Sequence, residues 1–391
     1  MKIGFIGVGG MGYTHLLCLK EIAGTEEICV SAIADKREER REMAEKVFPE
    51  AKLYTDGLEL LEKEELDTVF IITPSYEHFP LMKKAMEKKL SIFCEKPVCL
   101  SPEECNQLVK MEEKYEKPIC IGQVVRHMPE FLFLKECIDS GKYGKLLDLS
   151  FERLSGNVNW GYEDWFHDEK KSGSVILDLH IHDLDFMRFI LGEPDSAEVL
   201  HHTSFASGMV NHIVTKAKYR DLEVLSEAAW YHADSYPFHA SYRADFEKAT
   251  VQFNSAIDKE HVFLCTDGKT EKKKIGEEDK EIESEMNIKS LGAYLIEDRK
   301  FIAYLLGKST ESFTVHSPEK FSIEKAGSIE LSYEKSMEEG GIFSYSLGHY
   351  RGQHENMESA ISAIFWTESR RYFGIVRTDR GSLSEKPEKM K

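Results

Sequence analysis

The sequence lacks any apolar run approaching the ~20 residues that a bilayer-spanning helix needs, and it has no Cys-x-x-Cys pair. Its cysteines (18, 29, 94, 99, 105, 120, 137 and 265) are scattered, a distribution expected of reduced thiols in a cytoplasm and not of a disulfide framework or a zinc site. Positive charge is in deficit. The 51 lysines and arginines face 69 acidic residues, giving a formal net charge of −18 with no basic stretch to offset it. That argues against a nucleic-acid or membrane partner, since both are held largely by neutralising phosphate. The apolar opening, Ile3-Gly-Phe-Ile-Gly-Val8, is too short and too soon broken to be a signal peptide, so a cytoplasmic location is expected. No internal repeat is found. What remains is 391 residues, 41% hydrophobic and 31% charged, enough for two soluble domains that each bury a core.

Glycine carries the first positive signal. Residues 2–8 read as a buried strand running into Gly7-Val8-Gly9-Gly10-Met11-Gly12, followed by a helix with Leu16, Leu17 and Leu19. A second apolar run, 28–34, ends at Asp35. In this strand–turn–helix–strand frame Gly7 permits a tight turn, Gly9 lets the backbone approach a pyrophosphate, and Gly12 lets the helix pack close to the sheet. Asp35 would accept hydrogen bonds from a ribose diol. NAD is therefore expected, with NADP as the alternative because Lys36 and Arg37 partly offset the Asp35 charge. Helical and strand patterns then alternate to about residue 124, which predicts a doubly wound parallel sheet. Ligands in such sheets sit beyond the carboxyl ends of the strands. Those ends carry Thr73-Pro74, Glu95-Lys96-Pro97 and the segment from Gln123 to Arg126. Lys96, between an acid and a proline straight after a buried strand, is placed to polarise a substrate oxygen beside a cofactor.

From Lys145 the texture changes to period-two alternation, repeated near 197–202, 212–219, 223–232, 241–253 and 261–265. This predicts a mostly antiparallel sheet with one open face, free for an interface or a substrate. An aromatic loop with Trp160, Tyr162, Trp165 and Phe166 precedes the stretch Ser172 to Pro194, which is expected to form a regular helix of about five turns. On that helix Asp178 and His182 share a face, with Asp185 following, while Ile176, Leu179, Phe186 and Phe189 supply the buried stripe. A carboxylate one turn before an imidazole can fix its tautomer and raise its basicity. Residues 276–285 read as a solvated charged loop, and helices around 294–306 and 318–338 are expected to close the second domain. The expected division is 1–125, 126–340 and an extension 341–391 of unknown role, with Arg370, Arg371, Arg377 and Arg380 near its end and 382–391 disordered.

Taken together, these residues resemble the glucose–fructose oxidoreductase, inositol dehydrogenase and rhizopine-catabolism (Gfo/Idh/MocA) family over roughly residues 1–340. The resemblance rests on Gly7-x-Gly9-x-x-Gly12 with His15, Asp35, Thr73-Pro74 with His78, Glu95-Lys96-Pro97, Gly122 to Arg126, and Asp178-x-x-x-His182-Asp183-x-Asp185. It implies an N-terminal Rossmann domain and a C-terminal α+β domain whose open sheet mediates a homodimer or homotetramer. It implies hydride transfer between a nicotinamide cofactor and a hydroxyl carbon of a sugar, polyol or related compound. By the same resemblance Lys96 is the catalytic lysine, His182 the acid/base, and Asp178 a substrate-binding or His-orienting carboxylate. Gly7, Gly9, Gly10, Met11, Gly12, Asp35, Thr73, Pro74, His78, Glu95 and Lys96 would hold the cofactor. Arg126, Trp165, Asp178, His182 and Lys96 would meet the substrate.

Two departures stand out. The usual double-glycine entry is reduced to Ser172-Gly173-Ser174, and a second imidazole, His180, competes with His182 for the proton-carrying role. Two other chemistries fit parts of the pattern. One is an NAD-retaining glycosidase or lyase that oxidises a sugar transiently. The other is a metal enzyme on His180-x-His182-Asp183-x-Asp185, which departs from the metallohydrolase pattern at Leu184 and Asp185, so no metal is expected.

Overall fold

The architecture comes from a computed structural model, which describes residues 1–276 and 291–309. Six parallel strands form the first sheet: β1 (Lys2–Ile6), β2 (Cys29–Ala34), β3 (Lys52–Tyr54), β4 (Thr68–Ile71), β5 (Ser91–Glu95) and β6 (Ile119–Gly122). Their order is β3-β2-β1-β4-β5-β6, so the sequence of strands reverses between β1 and β4. Helices cover both faces, which is why Ile3, Phe5, Ile6, Val69, Phe70, Ile71, Ile92 and Phe93 are apolar without alternation and all buried. β3 is too short for any pattern to announce it.

One core of this domain stacks Phe5 on Phe70 and Phe70 on Phe93, with ring centroids 6.2 and 4.8 Å apart. Phe301 closes it from the helix Gly292–Leu305, 5.9 Å from Phe93. That helix was expected to complete the second domain. Its Ala293 and Tyr294 pack against the core of the second, while its Phe301 and Ile302 are fully buried in the first, beside the helix Gly10–Ala23. An apolar helical face announces that something will cover it, not which domain will do so.

The second sheet has eight strands: β7 (Leu146–Gly156), β8 (Ser196–Ser204), β9 (Val210–Tyr219), β10 (Leu222–Tyr231), β11 (His239–Phe246), β12 (Ala249–Asn254), β13 (Asp258–Thr266) and β14 (Lys269–Lys274). They are ordered β14-β13-β12-β11-β7-β10-β9-β8, antiparallel except where β7 pairs with β10. β14, Lys-Thr-Glu-Lys-Lys-Lys, carries no apolar alternation and escaped the sequence reading. Lysines suit it as an edge strand that resists pairing with another chain. One face packs on the helices Pro129–Asp139 and Ile181–Leu191, with Phe131 5.1 Å from Phe186 and 5.4 Å from Tyr242. The opposite face presents Leu225, 41% exposed, and exposed Arg243, with His212 bonded to Glu227 at 2.9 Å.

The stretch expected to be one regular helix is not. Gly173 and Ser174 enter it at φ +70° and +62°. Residues Ile176–His180 form a wide π-turn, and only Ile181–Leu191 is α-helical, stopped by Gly192 at φ +80°. A π-turn inserts one residue per turn, so side chains before it rotate out of phase with those after it. Within the turn His180 is buried. Its Nε2 lies 2.8 Å from Thr215 Oγ1 and its Nδ1 3.3 Å from Ser226 Oγ, pinning the turn to β9 and β10. His180 is therefore a structural histidine.

The cysteines are not all reduced thiols, as their scatter led one to expect. Cys99 and Cys105 form a disulfide across the start of the helix Pro102–Glu112, because the chain brings their Cα atoms to 6.1 Å. Short separation without a Cys-x-x-Cys signature gave no warning. The helix expected at 318–338, residues 277–285 of the charged loop, and the whole extension 341–391 lie outside the described residues.

Burial, with Arg153 nearby, lowers the His180 pKa to about 3. The unfolded state therefore binds a proton that the folded state refuses between about pH 6.5 and that value. Each pH unit in that window removes up to about 1.4 kcal/mol of stability through this one group. In urea melts from pH 7 to pH 5, His180→Gln should lose less stability than the parent, whatever its stability at pH 7. Parallel pH dependences would show that His180 is not the buried neutral group described.

Candidate functional site

The carboxyl ends of the parallel strands and the near end of the second sheet enclose a cleft of about 1460 Å³. Small-molecule pockets run to roughly 1,000 Å³, so there is room for a dinucleotide and a second ligand together. The glycine turn forms its floor. Gly7 sits at φ +94°, and a Cβ there would come within 2.5 Å of the Ile72 carbonyl oxygen. A Cβ on Gly12 would lie 2.0 Å from the Gly7 oxygen. At Gly9, the N-cap of the helix Gly10–Ala23, a Cβ would meet only the tip of Arg37 at 3.8 Å, no side chain caps the helix and its first turn carries no acid. Free N–H groups and the helix dipole make this end a receiver for an anion.

Around that floor stand the remaining expected cofactor residues. Asp35 Oδ2 accepts the Val8 N–H at 2.8 Å and Oδ1 the Arg37 N–H at 2.9 Å, which fixes the carboxylate and leaves lone pairs for a ribose. Gly10, Met11, Thr73 and Pro74 line the cleft, and Thr73 Oγ1 is buried without a partner among the described residues. A glycine cradle, an anion-accepting helix end and a fixed acid fit a dinucleotide.

His78 does not belong to this set. It is buried behind the cleft, its ring nitrogens 2.7 Å from the Pro97 carbonyl and 2.8 Å from the Thr73 carbonyl. It ties two strand-end loops together and does not line the cleft.

Glu95 is buried at the end of β5. Its Oε2 accepts the Lys96 main-chain N–H at 2.9 Å, and its Oε1 lies 3.1 Å from His15 Nε2. His15 Nδ1 is 3.0 Å from both oxygens of Asp298, on the returning helix. Burial alone would lower the His15 pKa, but Asp298 and then Glu95 more than reverse it, and the imidazole is held well above its usual value. An imidazolium thus donates to both carboxylates. This chain of contacts was invisible in sequence, since Asp298 is 283 residues from His15 and no spacing links them.

Lys96 leaves the same strand end. Its Nζ donates to Asp178 Oδ1 at 3.0 Å and to the Asp178 carbonyl at 2.8 Å. Asp178 therefore holds the lysine, not His182 as the spacing had suggested. The π-turn is the reason, because it rotates residue 178 away from the face that follows. His182 also lines the cleft, and neither of its ring nitrogens makes a hydrogen bond among the described residues; Nδ1 is buried. Burial first, then Lys96 and Arg153, lowers its pKa well below the ordinary value, so the ring is a neutral proton acceptor.

The other acids of this stretch point elsewhere. Asp185 is gripped by Arg126 through Nε at 2.7 Å and Nη2 at 2.6 Å. Asp183 is gripped by Arg153 at 3.1 and 2.7 Å. Arg126, expected to meet substrate, is paired with Asp185 and is not among the residues lining the cleft. His180, His182, Asp183 and Asp185 serve four separate environments and converge on no common point. Trp165 does line the cleft, stacked on Phe166 with ring centroids 4.0 Å apart.

The family described as "Oxidoreductase family, NAD-binding Rossmann fold" matches residues 1–123, and the GFO/IDH/MocA C-terminal domain matches residues 131–252. A myo-inositol 2-dehydrogenase of Thermotoga maritima is 34% identical over 194 residues, covering 49% of this chain and 55% of that protein. An inositol 2-dehydrogenase of Corynebacterium glutamicum is 28% identical over 193 residues, 49% and 54% of the two chains. The chain thus matches about half the length of these curated relatives. Among solved structures, a levoglucosan dehydrogenase in complex with NADH and levoglucosan superposes with a TM-score of 0.68 at 16% identity, covering 80% of this chain and 92% of that one. An Agrobacterium radiobacter oxidoreductase in complex with NAD+, L-tartaric acid and magnesium gives 0.64 at 18% identity, covering 80% and 90%. With both of its domains matched in order, from the glycine turn to the second sheet, the chain belongs to the Gfo/Idh/MocA oxidoreductase family.

Proposed function

We propose that the chain is an NAD-dependent dehydrogenase that oxidises a secondary hydroxyl of a sugar, polyol or similar compound. The observation that carries this reading is the pairing of a fixed cation with a free neutral base at the mouth of a nucleotide cradle. Lys96 is held by Asp178, and His182 has both ring nitrogens uncommitted beside it. The inositol dehydrogenases and levoglucosan dehydrogenase among the relatives support the substrate class.

The division of labour follows from the charges. A bound nicotinamide would supply the hydride acceptor. The Lys96 ammonium, with a third N–H to spare beyond its two bonds to Asp178, donates to the reacting oxygen and stabilises negative charge developing there. His182 takes the hydroxyl proton, and its neutrality at rest suits it to that task. Trp165 offers an apolar wall against which the carbon face of a polyol can lie. The uncovered face of the second sheet, with Leu225 exposed, supports a homodimer or homotetramer.

Lys96→Ala and His182→Ala should each lower turnover by about two to four orders of magnitude while leaving NAD affinity nearly intact. His180→Gln should keep turnover. The assay is nicotinamide absorbance across inositols and sugars, with product analysis alongside. Stoichiometric NADH is expected; glycoside cleavage without net NADH would favour the transient-oxidation chemistry instead.

Oxidation rates should also hold as the pH drops. Because the His182 pKa is lowered, its basic form persists below the ~6.5 of an ordinary imidazole. A kcat/KM profile that falls with a midpoint near 6.5 would assign the proton to another group.

Multi-angle light scattering at micromolar concentration should report a dimer or tetramer. A clean monomer would refute the assembly.

A further inference from the structure

Glu130 lines the cleft with no task in the chemistry above. It stands in the first turn of the helix Pro129–Asp139, and its main-chain oxygen accepts the Tyr242 hydroxyl at 2.7 Å, anchoring that turn to β11. Its carboxylate makes no hydrogen bond or ion pair to another side chain among the described residues and accepts only from its own main-chain N–H. The other enclosed charges that the second domain brings to the cleft are engaged. Arg153 grips Asp183 at 3.1 and 2.7 Å, and Asp178 holds Lys96 at 3.0 Å. Lys259 and Arg299 also line the cleft, but both are exposed to water. The wall on this side is apolar. Ala240 lines it from β11, and Phe253 lies 6.2 Å from the ring of Phe131, the residue after Glu130.

A helix dipole favours an acid in a first turn, but it favours one that faces water equally. Burial pushes the Glu130 pKa up, against its own N–H and the charge of Arg153. The same arginine acts on His182, so the unpartnered acid and the neutral base lie around one guanidinium. An enclosed carboxylate is costly unless it is paired. A substrate hydroxyl would meet it with one neutral donor. An ammonium supplies several donors and the missing charge together.

We propose that Glu130 is a specificity-determining residue that receives an ammonium group of the substrate, so that the compound oxidised is an amino sugar or amino polyol. The proposal rests on the dehydrogenase reading of the cleft and narrows its substrate class.

The test is NADH formation from NAD+ by the full chain with matched sets of compounds. D-glucosamine is set beside D-glucose, N-acetyl-D-glucosamine and D-glucuronate, with the same galacto series, and an inosamine beside its parent inositol. In at least one set the free amine should exceed its neutral counterparts in kcat/KM by about 10- to 100-fold, the range for hydrogen bonds to a charged group. Glu130→Gln, which keeps the shape and removes the charge, should bring that ratio to within about threefold of unity. A merely structural role for Glu130 would change all members of a set alike and leave the ratio standing. If Glu130→Gln does not fold, the ratios of the parent protein still decide. The proposal is overturned if NADH forms from neutral members and no amine is preferred in any set. It is equally overturned if a uronate is the preferred member, which would assign recognition to Lys259 and Arg299, or if Glu130→Gln keeps the ratio of the parent. No NADH from any member, charged or neutral, would bring down the dehydrogenase reading itself, a distinguishable result.

Discussion

The contact between Lys96 and Asp178 joins the two halves of the molecule inside the cleft. The lysine ends a strand of the parallel sheet and the aspartate lies in the π-turn packed on the antiparallel one. An ammonium this enclosed would be costly to leave unpaired, so whatever positions Asp178 also positions Lys96. His180 of the same turn is bonded to Thr215 and Ser226 of the second sheet.

A second constraint arrives from the far end of the described chain. The helix Gly292–Leu305 crosses back to the first domain and seats Phe301 in its aromatic core. Asp298 of that helix forms the outer member of a buried carboxylate–imidazole–carboxylate series with His15 and Glu95. Glu95 in turn receives the Lys96 main-chain N–H. The lysine is consequently fixed at both ends, by a buried ion network behind its backbone and by an acid of the opposite domain at its tip. Pre-set groups of this kind need no rearrangement as charge develops on a substrate oxygen.

The two buried arginine–carboxylate pairs, Arg126 with Asp185 and Arg153 with Asp183, take up two acids of the helix and leave Asp178 of the π-turn in the cleft. Each of these carboxylates would be costly to bury unless paired. Their arginines lie on other elements, 59 and 30 residues away in sequence, so the acid-rich stretch alone could not reveal which acid remained in the cleft.

The sequence alone determined the features governed by local chemistry. Steric demand at Gly7 and Gly12, the alternation of buried strands and helices, and the change to period-two patterning near residue 145 each follow from backbone geometry and burial. They specified both sheets apart from the short β3 and the lysine-rich β14. Tertiary structure decided what depends on long-range partners. It decided the pairing of Asp178 with Lys96 through an unannounced π-turn. It decided the pairing of Arg126 with Asp185, the contacts of His78 with two strand-end carbonyls, and the return of the Gly292–Leu305 helix to the first domain. It also placed Tyr162 against Arg37. The physical reason is common to all of these. Periodicity records which side of an element is buried, but a charged or aromatic side chain takes its role from the group it meets. That partner is set only when distant segments pack together.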